Sequence, residues 1–399
     1  MILVVVGMAA IIGVAGLALD SGHAMLNKTR LQNTVDAAAL AAAKVLDQTA
    51  DVALADAAAD AMFALNAGNA GNRELGTAYA RGDIAVTVEF SNSLNPFAPG
   101  SAPPAYVRVR AQGFSMPAWF SVIFGILSKS VAASAVAGPS PTINQACNIM
   151  PMMVCGDPAA GPPFFGYTPN QPDVLKSGAS GSNWEIGPGN FQLVRLGNDP
   201  GEIRKNMAGG YDGCMTTGEN IPTEPGNKVG PVAQGFNTRF GQYTGGGVNP
   251  GQHPPDVVTT QPTPALAYDS ATDTITQSGM PITNASQIDF NYDDYSAQVE
   301  SENYNHQPAP NGSGAFQRRE AAIPIGDCTG TTNGQGEVPL LGFGCFFLLQ
   351  EVKQGGNTSF IFGQFLDSCR AGGMSGPAPT SVPGPYVIQL YRDFSSRDS

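Results

Sequence analysis

The chain begins with 19 residues that carry no charged side chain, and this run constrains its fold more than any other feature. Asp20 is the first charged residue. An α-helix rises 1.5 Å per residue, so residues 1–19 would span roughly 28 Å, about the thickness of the hydrocarbon core of a bilayer. We therefore predict a single N-terminal membrane span that contacts lipid through residues 1–19, with the rest of the chain on one side of the membrane.

A cleaved signal peptide is the alternative for this segment. Such a peptide has a positively charged n-region and ends at a small-residue cleavage site. No positive charge precedes the apolar run, and the helical pattern continues past Asp20, so we favour a membrane span. Ala9 and Gly13 form a small-x-x-x-small pair and Gly16 follows, and small residues at this spacing let a second helix approach closely.

The predicted helix continues beyond Asp20 as an alanine-rich stem, residues 21–46. Alanine has the highest helix propensity and gives a thin helix suited to close packing. A stripe of apolar residues recurs at helical spacing, namely Leu31, Val35, Ala38, Ala42 and Val45. A second alanine-rich helix is predicted over about residues 50–65, before a stop signal that ends at Gly68.

Two motifs in the N-terminal segment resemble a known family. Residues 16–22 read GLALDSG, and residues 29–43 place Arg30, Gln32 and Asp36 ahead of an alanine block. They resemble the N-terminal segment of TadE/TadG-like proteins of the tight-adherence (Flp) pilus system. The resemblance implies a pilin-like component whose first helix packs with other pilin-like helices. The residues of this assembly helix would be Ala9, Gly13, Gly16, Asp20, Arg30, Gln32 and Asp36.

One expected feature of longer family members is missing from the chain. Many TadG-like proteins carry a von Willebrand A domain with a D-x-S-x-S metal motif. Residues 393–397 read DFSSR and fail at the last position. The resemblance therefore covers the N-terminal segment and does not extend to that domain.

Residues 47–138 predict a small α+β unit. Apolar residues alternate with polar or small ones over residues 84–90 and 107–110, which is typical of half-buried strands. A third strand is predicted over about residues 131–136, before the Gly-Pro-Ser-Pro boundary at 138–141. Residues 116–127 are apolar but too few to span a bilayer, so we interpret them as a core or interfacial helix.

Residues 139–399 predict a β-rich, loop-rich domain, which makes the whole chain α+β. Short apolar runs alternate there with turns rich in Gly, Pro and Asn. All six cysteines lie in this region, and no C-x-x-C pair suggests a zinc site. We therefore favour three disulfides in an oxidising compartment over free buried thiols, with the pairing open. The six are Cys147, Cys155, Cys214, Cys328, Cys345 and Cys369.

Composition and motifs exclude several function classes. A net charge of −12 argues against a nucleic-acid partner. His23, His253 and His306 are interpreted as ordinary surface histidines, and no cofactor is expected. Four oxygen ligands stand at positions 1, 3, 5 and 12 of an EF-hand-like loop, but Asp294 replaces the required glycine, so a solvated acidic turn is favoured over a calcium site. These are Asp289, Asn291, Asp293 and Glu300.

These observations predict a non-enzymatic, membrane-anchored, pilin-like component of a tight-adherence pilus or a related assembly. It would sit in the inner membrane with its body in the periplasm or on the cell surface. Other pilus-assembly proteins, and a second copy of the chain, are the expected partners. Two alternatives stay open. An adhesin or carbohydrate-binding module would expose the aromatic residues between Phe290 and Tyr304, and an exported hydrolase would gather His253 or His306 with perturbed carboxylates.

Overall fold

The chain folds into two units. A computed structural model describes residues 2–176, 190–196, 199–269, 272–330, 335–355, 359–375, 384–394 and 396. Unit 1 comprises Met1–Pro139 and Ile388–Ser399, and unit 2 comprises Ser140–Val387. In chain order, unit 2 is therefore an insertion into unit 1. Secondary-structure elements are numbered in order along the whole chain.

Three helices open unit 1: α1 (Ile2–Thr49), α2 (Val52–Ala67) and α3 (Arg73–Ala80). α1 is continuous, which confirms the predicted run of helix from the uncharged segment into the stem. The Asp51 side chain caps α2 by accepting hydrogen bonds from two free backbone N–H groups, and Gly68 ends it.

The predicted membrane span over residues 1–19 is not supported by the structure. Within the part of the chain that the structure describes, no helix is both long enough and apolar enough to cross a membrane.

Four antiparallel strands form the sheet of unit 1, in the order β1-β2-β3-β19. They are β1 (Ala85–Ser91), β2 (Tyr106–Pro117), β3 (Ser128–Pro139) and β19 (Ile388–Tyr391). The alternating residues predicted as strands lie in β1, β2 and β3. β19 was not expected here, because the sequence pattern assigned residues 386–391 to the cysteine-rich region; the pairing of Ile388 with Pro139 places it in unit 1.

The alanine-rich stripe of α1 lies in the core of unit 1. Leu31, Val35 and Ala38 are fully buried, together with Phe63 of α2 and Val109 of β2. Small side chains on α1 let both α2 and the sheet approach its backbone closely. The apolar stripe is thus covered by unit 1 itself, so the contacts it makes in this structure are intramolecular.

A buried ionic cluster joins the C-terminal segment to this sheet. Asp393 is 1% exposed and lies 3.3 Å from Nη2 of Arg110 and 3.8 Å from Nη1 of Arg108. It also accepts a hydrogen bond from the Ser134 hydroxyl. Arg108 donates to Glu89 on β1, with its Nη2 2.7 Å from Oε2. The nearest match to the metal-binding motif therefore begins with a residue that acts as an ion-pair partner.

Unit 2 contains three helices and 15 strands among the described residues, arranged in several sheets. Its helices are α4 (Pro200–Lys205), α5 (Val229–Phe236) and α6 (Tyr292–Glu300). The strands of its largest sheet follow the order β5-β13-β14-β15-β6, and β9 pairs with both β14 and β7. They are β5 (Val154–Gly156), β6 (Pro172–Lys176), β7 (Asn190–Val194), β9 (Asn220–Pro225), β13 (Glu320–Asp327), β14 (Glu337–Leu348) and β15 (Ile361–Leu366).

Smaller sheets complete unit 2, in the orders β17-β4-β8, β10-β11-β12 and β16-β18. Their strands are β4 (Ile143–Cys147), β8 (Cys214–Thr216), β10 (Ala267–Asp269), β11 (Thr274–Gln277), β12 (Met280–Ile282), β16 (Ser368–Arg370), β17 (Gly372–Ser375) and β18 (Gly384–Tyr386). Mixed α+β architecture with a β-rich second part is thus confirmed.

The six cysteines form three disulfides, as predicted. The pairs are Cys147–Cys214, Cys155–Cys328 and Cys345–Cys369. The first joins residues that are directly opposite each other on β4 and β8. The second joins the neighbouring strand β5 to the residue after β13.

A buried arginine sits in the core of unit 2. Arg319 is fully buried, and its guanidinium donates hydrogen bonds to the carbonyl oxygens of Val258, Thr260, Leu348 and Leu349. Its backbone N–H donates to Asp256, which is also fully buried. The charge is tolerated because nearly every donor has an acceptor.

We expect Asp393→Asn to lower the free energy of unfolding of unit 1 by about 3 kcal/mol, because it removes the buried negative charge that Asp393 holds beside Arg108 and Arg110. Urea unfolding followed by the fluorescence of Trp119, in a Trp184→Phe background, measures the change. The matched control is Asp83→Asn, since Asp83 pairs with Arg81 on the surface and its loss should cost less than about 1 kcal/mol. Equal midpoints for the two variants would contradict the role given to Asp393.

Candidate functional site

The connection between β2 and β3 forms a closed loop, residues 118–127. The N–H of Ala118 donates to the carbonyl oxygen of Leu127 at 3.0 Å, and residues Ser121–Phe124 make one 3-10 turn. Gly125 ends the turn with a φ of 78°, a left-handed conformation that glycine adopts without strain. The twelve-residue helix predicted over residues 116–127 is therefore wrong, because β2 runs to Pro117 and Gly125 stops the turn after a few residues.

Asp20 of α1 binds this loop through its carboxylate. The group accepts backbone N–H donors from Trp119 at 3.1 Å, Phe120 at 3.1 Å and Ser121 at 2.6 Å, and the Ser121 hydroxyl at 2.6 Å. Asp20 is 3% exposed and Ser121 is fully buried. Three successive N–H groups that point to one place form an anion-binding concavity, and here a carboxylate of the same chain fills it.

The electrostatics of the contact favour the charged carboxylate. The pKa of Asp20 falls from 3.8 to about 2, chiefly because the Ser121 hydroxyl donates to it, with further help from the three N–H groups. Burial acts in the opposite direction and is outweighed. The contact is therefore an ionised carboxylate held by four donors at neutral pH.

Gly16 leaves room for the loop one helical turn before Asp20. A Cβ atom at Gly16 would lie 2.6 Å from Cβ of Phe120, which is closer than two non-bonded carbon atoms can approach. By contrast, a Cβ at Gly22 would meet nothing within 4 Å. The glycine and the aspartate of the GLALDSG motif thus act together: Gly16 admits the loop and Asp20 bonds its backbone.

His23 extends the same contact. Its ring stacks on Trp119 with 4.3 Å between ring centres, and its Nε2 lies 2.7 Å from Oε2 of Glu74 on α3. Nδ2 of Asn27 donates to the same Glu74 oxygen at 2.7 Å. The interpretation of His23 as an ordinary surface histidine is therefore wrong. The i, i+3 and i+7 spacing of Asp20, His23 and Asn27 was a signal that they share one face.

Among the remaining residues of the predicted assembly helix, Gln32 and Asp36 do not join this contact. Nε2 of Gln32 donates to Asp36 at 2.8 Å and to the carbonyl oxygen of Ser134 on β3 at 3.0 Å. Burial raises the pKa of Asp36, and the Gln32 hydrogen bond partly offsets it. Nη1 of Arg30 lies 3.5 Å from Oδ1 of Asn27. Gln32 therefore fixes α1 to its own sheet, and Asp36 accepts a hydrogen bond from the same amide group.

Two further predicted positions lie near the start of α1. Gly13 is partly buried, and Ala9 lies in the helix with its side chain outside the described part of the structure. Their role in assembly stays a prediction.

The EF-hand-like spacing does not form a calcium loop. Asn291 caps α6 by accepting the N–H of Asp293, so Asp293 and Glu300 lie on helical backbone where a calcium loop needs an open turn. Asp289 instead accepts the N–H of Thr263 at 2.9 Å and a hydrogen bond from Gln277.

The aromatic residues proposed as an exposed sugar platform belong to the core. Phe290 and Tyr295 are buried, and the rings of Tyr292 and Tyr295 lie 5.3 Å and 4.9 Å from that of Phe347 on β14. Tyr304 packs edge-on against Phe316. These rings stabilise unit 2, and their burial removes the observation on which the carbohydrate-binding alternative depended.

The surroundings of His253 do not match the hydrolase alternative. Its pKa is lowered, first by burial and then by the positive charges of Arg318 and Arg239. A catalytic carboxylate would raise it instead. A polar cavity of about 180 Å³ is lined by Arg239, Arg318 and Arg370, among other residues. Arg239 and Arg318 donate to backbone carbonyl oxygens, so they serve as structural donors.

Two known protein families match the N-terminal part of unit 1. Residues 1–51 match the family described as TadE/G-like Flp pilus assembly, and residues 41–137 match the family described as Tad-like Flp pilus assembly. Together the matches cover roughly a third of the 399 residues. The search found no similar curated protein and no similar solved structure. The N-terminal third is thus Tad-like, which confirms the resemblance and supports a role in Flp pilus assembly in the cell envelope or at the cell surface.

We expect Asp20→Asn to release the 118–127 loop. The neutral amide loses the charge and one of the two oxygens that hold residues 119–121, so their N–H groups should exchange with solvent ~10-fold faster or more. Hydrogen-exchange mass spectrometry measures this, with Asp56→Asn on the exposed side of α2 as the control.

The protection of the 119–121 N–H groups from exchange should be complete above pH 3.8 and be lost as the pH falls through about 2, because the folded state lowers the Asp20 pKa. Unchanged exchange in Asp20→Asn would contradict the contact.

Proposed function

We propose that this chain is a structural, non-enzymatic component of Flp pilus assembly that works through protein contacts. The observation that carries the proposal is the position of the family matches. They run without a gap over residues 1–137, which is nearly all of the part of unit 1 that precedes unit 2. Unit 1 would therefore be the assembly module, with unit 2 as a disulfide-stabilised body carried between two of its strands.

The packing of α1 within unit 1 leaves only some of its faces for a partner helix in assembly. Its alanine-rich stripe packs on α2 and the sheet, so a pilin-like partner would use other faces of the helix. The small residues Ala9 and Gly13 precede the 118–127 loop contact and offer a place for such a helix. A second copy of the chain and other pilin-like proteins are both partners of this kind.

Membrane attachment is a separate part of the proposal and depends on sequence alone. Residues 1–19 carry no charge. We place the chain in the inner membrane through this segment, with its body in the periplasm or at the surface, where its three disulfides persist. Resistance of the protein to carbonate extraction from membranes would support this placement, and complete release would contradict it.

The role in assembly predicts a specific pair of outcomes in cells. Deleting the gene should abolish Flp pili and the adhesion that depends on them, and the wild-type chain should restore both. Gly16→Ala should fail to restore them, because its Cβ meets Phe120 and displaces the loop. Gly22→Ala is the matched control and should restore pili, because its Cβ has free space and alanine favours the helix by about 1 kcal/mol.

Co-purification provides the second measurement. The detergent-extracted wild-type chain should bring down pilus-assembly proteins, whereas Gly16→Ala should not. Normal piliation in the deletion strain, or a wild-type chain that purifies alone, would overturn the proposal.

A further inference from the structure

The 118–127 loop exposes an unusual number of large apolar side chains. Ile123 is 79% exposed, Leu127 is 72% exposed and Trp119 is 55% exposed. Phe120, Val122 and Ile126 are exposed as well. Scattered apolar residues are normal on a surface, but a contiguous patch on one short loop marks a contact with something apolar.

The loop is fixed beside further exposed apolar residues. Val14, Leu17 and Leu19 of α1 are exposed, and they flank Gly16 and Asp20, the two positions that bind the loop. The carboxylate of Asp20 holds the loop at the level of α1 where Leu17 and Leu19 are also exposed. The patch is therefore a fixed feature of unit 1.

Charge is absent from both chain segments of this patch. Residues 1–19 carry none, and neither do residues 111–128. The first carboxylate, Asp20, is buried beneath its four donors. Cations follow at the edge: Nζ of Lys129 lies 3.3 Å from Oγ of Ser21, and Lys28 comes two turns later on α1. An uncharged apolar zone with a tryptophan and then lysines at its edge is the profile of a protein surface at the boundary of a bilayer.

We propose that the 118–127 loop contacts a lipid bilayer surface, with Ile123 and Leu127 among the acyl chains and Trp119 at the level of the headgroups. A protein partner would be expected to meet a polar rim around the apolar centre, whereas this loop carries no charged side chain and its one serine, Ser121, is buried. Lysines at the edge match the phosphates of the headgroups. The inference goes beyond the proposed role in pilus assembly, which does not require the loop to touch lipid.

The test uses the fluorescence of Trp119 in the full chain. The chain has two tryptophans, so Trp184→Phe leaves Trp119 as the single emitter. The protein is mixed with vesicles of phosphatidylcholine and phosphatidylglycerol in equal parts, whose acyl chains are brominated near the headgroup end. Bromine quenches a nearby indole, so we expect strong quenching and a blue shift that unbrominated vesicles reproduce without the quenching.

Ile123→Asp combined with Leu127→Asp tests whether the loop itself makes the contact. Burying each parent side chain in lipid favours binding ~10-fold or more, so we expect quenching of Trp119 to fall ~10-fold or more in the double variant. Leu65→Asp is the matched control, because Leu65 is 70% exposed on α2 and away from the patch. It should leave quenching unchanged. Circular dichroism checks that all three proteins fold, since each replaced side chain points to solvent.

Three results would overturn the proposal. Trp119 could stay accessible to aqueous iodide and unquenched by brominated lipid. The double variant could be quenched as strongly as the parent. A blue shift that grows with protein concentration without vesicles would assign the loop to a contact between two copies of the chain. None of these results bears on piliation, so the lipid contact can fail while the role in assembly stands.

Discussion

The bond between Asp20 and the backbone of residues 119–121 is the interaction on which this end of unit 1 depends. Burying a carboxylate is costly unless donors replace its water, and here three N–H groups and a hydroxyl do so. The loop contains one 3-10 turn and no strand, so its N–H groups need other acceptors, and the Asp20 carboxylate accepts three of them. Gly16 is small for the same reason, since any side chain there would push the loop off the carboxylate. Two positions of the GLALDSG motif are thus explained by one contact.

Local patterns predicted five elements of unit 1, because alanine spacing and alternation are signals carried by neighbouring residues. Alanine spacing gave α1 and α2, and alternation gave β1 to β3. The partners of those elements could not be predicted in the same way. Asp20 meets a loop 101 residues further along the chain, and β19 pairs with β3 from the far end of the sequence. An apolar stripe such as that of Leu31 and Ala38 predicts burial but does not identify the elements that bury it. In this structure α2 and the sheet bury it.

Unit 2 shows the same limit for polar and aromatic residues. Between Phe290 and Tyr304 the sequence mixes aromatic rings with acids, which suits an exposed binding surface as well as a helix end. Burial decides between them, and burial depends on the distant Arg319 and Phe347. Tyr295 donates its hydroxyl to Asp256 at 3.1 Å, and Asp256 also receives the N–H of Arg319. Each polar group can be buried only because its neighbour supplies a hydrogen-bond partner. The burial of any one of these residues therefore cannot be predicted from its own place in the sequence.

The insertion of unit 2 makes the two ends of the chain depend on each other. β19 and Asp393 come after the whole of unit 2, yet they complete the sheet and the ionic cluster that start with β1 and β2. Unit 1 therefore reaches its full hydrogen bonding after the last strand has been made, whereas unit 2 contains all three of its disulfides within residues 140–387. The three disulfides shorten the path along the chain between the two ends of unit 2. A shorter path lowers the conformational entropy that is lost when β19 pairs with β3. The cysteines of the body thus assist the sheet of the Tad-like unit without lying in it.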